Sequence, residues 1–106
     1  MSPYVWTILL GLPITVTAAV AQDMPRFNIQ PSCRAAASLT PASLDSCLRD
    51  EESARTALTA SWSQFAAGDR TRCREETETG GSPSYVELLT CLQMARDARK
   101  LPRNFE

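Results

Sequence analysis

The chain has 106 residues, with twelve acids and eleven bases for a formal charge of −1, and no histidine. This near balance gives no sequence-wide attraction to nucleic acid or anionic lipid, and the missing imidazole removes the usual activating base of a serine or cysteine nucleophile. The four cysteines, Cys33, Cys47, Cys73 and Cys91, form no CxxC pair, which argues against the common zinc, haem and thioredoxin-type motifs.

Residues 1–21 carry no charged side chain and end in Ala19-Val20-Ala21, the small-x-small pattern of a signal-peptidase site, so cleavage is expected before Gln22. The segment is atypical in having no Lys or Arg near its start. The alternative is a membrane-tethered subunit that keeps the segment. Its apolar run barely reaches the roughly 20 residues of a spanning helix, however, and Gly11 and Pro13 interrupt it. The expectation is therefore a periplasmic or secreted protein with no stable membrane insertion after cleavage. The 85 residues left after position 21 bury only a small core, and chains of that size often need a covalent or metal staple.

Residues 22–32 hold Pro25 and Pro31 without hydrophobic period and read as an extended, poorly ordered leader, on which Phe27 and Ile29 are candidates for docking. Residues 33–39 form a short alanine-rich helical turn that needs tertiary support. Thr40 then serves as an N-cap with Pro41 at the first helical position. From there to residue 67 runs the main helix, with Leu44, Cys47, Leu48, Ala54, Leu58, Trp62 and Phe65 on one face. Asp45, Arg49, Asp50, Glu52, Thr56 and Ser63 lie opposite, supported by the i,i+4 pairs Asp45–Arg49 and Glu51–Arg55. Gly68 is expected to end the helix as a left-handed cap and Asp69 to cap the next one. That second helix, to about residue 78, has little apolar content besides Cys73, and it is expected to fray. After the Gly80-Gly81 break, Ser82 caps and Pro83 opens a third helix to about residue 101. Tyr85, Leu88, Leu89, Leu92 and Ala95 form its buried stripe, with Val86 and Met94 at the edges and the Tyr85 hydroxyl reaching solvent. The helical domain thus spans residues 33–101, with a tail over 102–106.

Four cysteines allow three pairings, and helix geometry separates them. Each residue rises about 1.5 Å, and a disulfide needs Cα atoms roughly 4.4–6.8 Å apart. Cys33 and Cys47 lie seven residues either side of Thr40, so an antiparallel turn brings them level. Cys73 and Cys91 lie level to within about one turn around Gly80-Gly81, whereas Cys47 and Cys91 belong to opposite ends. The expected bonds are Cys33–Cys47 and Cys73–Cys91, in an oxidising compartment.

The runs C-R-A-A-A, C-L-R-D-E-E-S-A-R, W-S-Q-F-A-A-G-D-R-T-R-C and G-G-S-P-S-Y-V-E-L-L-T-C-L-Q-M-A-R-D-A resemble a group of small exported four-cysteine proteins of alphaproteobacteria, chiefly rhizobia, over residues 33–98. That resemblance implies export and carries no activity with it. More faintly, the layout of Cys33, Cys47, Trp62, Asp69 and Cys73 is similar to the lysozyme-inhibitor domain of the LprI type, which implies inhibition of a cell-wall lytic enzyme.

The candidate chemistry is thin. Asp50, Glu51 and Glu52 point about 100° apart on a helix and cannot converge on one ion, so they read as a solvated face. Arg70 and Arg74 share a face and are the candidates for gripping a phosphate or carboxylate, although neighbouring glutamates compete for them. A Ser–Lys dyad would depend on Lys100, the sole lysine. The reading is an all-α, small disulfide-stapled helical bundle with three main helices and a short N-terminal turn. It is an exported, non-enzymatic binding or structural accessory protein with an unknown protein partner, no cofactor, no metal and no nucleic-acid ligand.

Overall fold

The computed structural model describes residue 3, residues 11–13 and residues 23–102. Most of the expected signal segment, its cleavage site at Ala19-Val20-Ala21 and the tail beyond Pro102 lie outside the described residues. Within them the chain forms α1 (Gln30–Ala37), α2 (Pro41–Ser61), a 3-10 turn over Trp62–Gln64, α3 (Ala67–Thr79) and α4 (Tyr85–Arg99). There is no strand among the described residues, so the fold is the expected all-α bundle. Helix α1 packs on α2, α2 on α4, and α4 on α3, which places α4 between its two neighbours.

Both disulfides join the cysteines that helix heights had paired. Cys33 and Cys47 tie α1 to α2 with Cα atoms 5.4 Å apart, and Cys73 and Cys91 tie α3 to α4 at 5.6 Å. Helix α2 starts where its sequence signal lies, with Thr40 extended and Pro41 in the first turn. The Thr40 hydroxyl bonds the Ser43 hydroxyl at 2.6 Å instead of capping a backbone amide. Asp45 and Arg49 pair as expected. Glu51 and Arg55 do not: Arg55 turns to Glu52, with bonds of 3.0 and 2.6 Å, and Glu51 points inward.

The main helix does not run unbroken to residue 67. It ends at Ser61, tightens into the 3-10 turn, and releases Phe65 into extended backbone. In a 3-10 turn, residues three apart stack on the same side. Trp62 and Phe65 accordingly enter the core together, at 8% and 5% exposure. Gly68 falls inside the first turn of α3 and is not a left-handed cap, and Asp69 lies in that same turn with Ala66 as N-cap.

Helix α3 holds its full length despite its polar composition, contrary to the expected fraying, because each turn of its inner face has its own tether. Asp69 bonds Arg99, Cys73 is disulfide-bonded to Cys91, and Thr77 bonds Ser84 and Glu87. The link to α4 turns at Gly81, whose φ of 78° favours glycine. Helix α4 begins two residues later than expected. Its N-cap is Ser84, whose hydroxyl accepts from the Glu87 amide at 3.2 Å.

The core gathers Ala54, Leu58, Trp62, Phe65, Cys73, Tyr85, Leu88 and Leu92. The leader packs on it, contrary to the expected loose segment. Pro25 is buried, while Met24, Phe27 and Ile29 lie against the cluster. The Tyr85 hydroxyl does not reach solvent: it accepts from the Phe27 amide at 2.9 Å, with the two rings 5.0 Å apart. Tyr85 is only 5% exposed.

Candidate functional site

A buried polar network centres on a carboxylate that the sequence reading placed in solvent. Glu51 is 3% exposed and sits beneath the start of α4. Ser84 Oγ donates to Glu51 Oε1 at 2.5 Å, and the Tyr85 amide donates to Oε2 at 2.7 Å. Thr77 Oγ1 accepts from the Ser84 amide at 3.1 Å and donates to Glu87 Oε2 at 3.0 Å. This network joins α2, α3 and α4 at one point, where a carboxylate also complements the positive end of the α4 dipole. Ser84 is 4% exposed, so its hydroxyl is sealed from any substrate and orders the helix start instead. The sequence signal was available. Glu51 stands four residues after Cys47 and three before Ala54, on the apolar stripe itself.

Arg70 and Arg74 line one cavity of about 250 Å³ together with Asp23, Trp62, Glu75 and Glu78. They do not form a shared anion grip. Arg70 lays its guanidinium 5.5 Å from the centre of the Trp62 ring, and Arg74 Nε donates to Glu78 at 2.9 Å. Three carboxylates border the same cavity, which opposes a second anion there. The stronger arginine contact is elsewhere. Arg99 Nε and Nη2 donate to the two Asp69 oxygens, each at 3.0 Å, which closes the α3 start onto the α4 end. These hydrogen bonds hold the Asp69 carboxyl below its ordinary pKa, against the opposing effect of burial.

A groove of about 600 Å³ open to a partner runs along α3 and α4. Cys91 and Ala95 border it, with Val86, Thr90, Met94 and Ala98 along its α4 wall and Arg72 and Glu76 on its α3 rim. Val86 is 39% and Met94 67% exposed. A second cavity of about 500 Å³ shares Val86 and reaches the start of α2. The sequence reading set Val86 and Met94 at the edge of the core stripe. It also found little apolar content in α3 besides Cys73, but not the consequence, that Val86 and Met94 are left uncovered.

Among the described residues, no three His, Cys, Asp or Glu side chains converge as a metal ion requires, and no helix is long and apolar enough to cross a membrane. In comparisons with known protein families, curated proteins and solved structures, the chain matches none.

Proposed function

We propose that the chain is an exported, non-enzymatic accessory protein that works by binding a protein partner through the α3–α4 groove. The observation that carries this reading is the exposed apolar wall of α4, where Val86 and Met94 stand open beside Ala98 with a charged rim from α3. Apolar side chains ringed by polar ones mark interaction surfaces, and the flexible thioether of methionine adapts to a partner's shape. Two disulfides in a small domain support an oxidising compartment, as does the signal-like start of the sequence.

The test begins with mature protein produced in its native host, where intact mass reports loss of residues 1–21. A protein captured by it, identified by mass spectrometry and purified, is then titrated calorimetrically against wild type and Met94→Glu. Affinity should fall by about tenfold or more in the variant, as for an anchor residue. Binding indifferent to Met94→Glu, or substrate turnover that scales with the amount of mature domain, refutes the reading.

A further inference from the structure

We propose that the occupant of the α3–α4 groove is a second copy of this chain, seated so that the two α4 helices run antiparallel about a two-fold axis. The proposal rests on the groove being a binding face and adds the identity of what fills it. Its first support is a row of side chains. Val86, Thr90, Met94 and Ala98 recur every fourth residue on the groove side of α4, so they form one continuous ridge. Met94 is its one long side chain, with the shorter Thr90 and Ala98 on either side.

Under an antiparallel two-fold axis, Val86 meets Ala98 of the partner subunit and Met94 meets Thr90 of the partner subunit. The long Met94 then faces the shorter Thr90, and Val86 faces Ala98, so the two ridges can interdigitate. A parallel pairing would set Met94 against its own copy and leave a gap at Ala98.

Charge selects the same arrangement. Glu87 stands at the Val86 end of the groove, fixed there by Thr77. Arg72 stands near the middle, one residue before the Cys73–Cys91 bridge, and its guanidinium leans toward the other end, onto the Asp69 that Arg99 holds. A two-fold axis across the middle brings Arg72 opposite Glu87 of the partner subunit, twice. Such an isologous contact is the commonest way that identical chains assemble. One helix and its rim make a small interface, so the dimer is reversible, with a dissociation constant on the order of 10 μM.

Sedimentation equilibrium of the mature chain should show the mass rising from one chain to two with concentration. Met94→Glu and Ala98→Glu, at exposed positions, should each weaken dimerisation by about tenfold or more. Arg72→Glu and Glu87→Arg should each weaken it alone, because like charges then face each other. Mixed in equal amounts, these two variants should associate with each other, since each restores the sign the other lacks.

A mass of one chain at every concentration, a dimer unchanged by both α4 variants, or a charge-swapped mixture of folded chains that stays monomeric overturns the proposal. If Glu87→Arg fails to fold, wild type, Met94→Glu and Ala98→Glu decide it without the mixture. A chain that stays monomeric yet binds another purified protein in a Met94-dependent way overturns the dimer alone, and the broader binding reading survives.

Discussion

Replacing Glu51 by alanine removes the carboxylate on which the start of α4 rests. The wild-type side chain accepts two hydrogen bonds, from the Ser84 hydroxyl and the Tyr85 amide, both on residues that are at most 5% exposed. A hydrogen bond to a charged group contributes about 1.5–3 kcal/mol, and stranded buried donors add their own desolvation cost. Removing a buried charge returns part of that loss, which leaves an expected destabilisation of about 3–4 kcal/mol. Domains of this kind have only about 5–15 kcal/mol in total, so the variant should sit close to unfolding. Urea titration at neutral pH with both disulfides intact reads this directly. With a slope of about 1 kcal/mol/M, the midpoint should fall by about 3 M at unchanged slope. Asp50→Ala and Glu52→Ala, on the exposed side of the same turn, should stay within about 0.5 kcal/mol of wild type. Glu51→Ala and Ser84→Ala should be clearly sub-additive in a double-mutant cycle, because they remove one shared bond. A loss below about 1 kcal/mol for Glu51→Ala, or similar losses for all three acids, would refute the assignment of Glu51 as the junction of α2, α3 and α4.

Three further perturbations test the remaining junctions. The Asp69 carboxyl is held below its ordinary value of 3.8 by its bonds to Arg99. A depressed native value means that the stabilisation is complete above the unfolded value and is lost as pH falls through the native one. Asp69→Asn should therefore flatten the loss of thermal stability at pH below about 4, and an unchanged acid limb counts against the pair. Removing either disulfide by paired Cys→Ser substitution should cost about 3 kcal/mol, given sequence separations of 14 and 18. Loss of Cys73–Cys91 should be the more damaging, because α3 buries no large apolar side chain. Full reduction should unfold the mature protein near body temperature, and equal melting midpoints with and without reductant contradict this. Tyr85→Phe removes the acceptor of the Phe27 amide and should cost about 1 kcal/mol. Amide exchange should speed up at Phe27 but not in the middle of α2.

The parts of the fold that were legible follow from local chemistry. Thr40-Pro41 marks a helix start because proline's missing amide is unneeded there, and cysteine heights follow from the helical rise. What escaped depends on partners distant in sequence. Glu51 has an arginine four residues on, a spacing that suggests a surface pair, yet its real partners are more than thirty residues away. The break at Trp62 has no Gly or Pro to announce it. At α4 the local signal Ser82-Pro83 pointed to a start two residues too early. The helix begins after Ser84, whose hydroxyl accepts from the Glu87 amide and also donates to Glu51. Of the nominated surface arginines, shared placement on one face was legible. So was competition from nearby glutamates, which takes Arg74 to Glu78, whereas the place of Arg70 over the Trp62 ring was not.

The order of the two disulfides along the chain bears on biosynthesis. Each bridge joins cysteines that are neighbours in sequence order, and the two loops neither overlap nor nest. A polypeptide threaded out with its N-terminus leading exposes Cys33 and Cys47 before Cys73 has emerged. An oxidant that joins the first two thiols it meets makes a native bridge, and the next two thiols then have only each other. On that route, a chain exported N-terminus first would need an electron acceptor but no isomerase to reshuffle mispaired sulfurs.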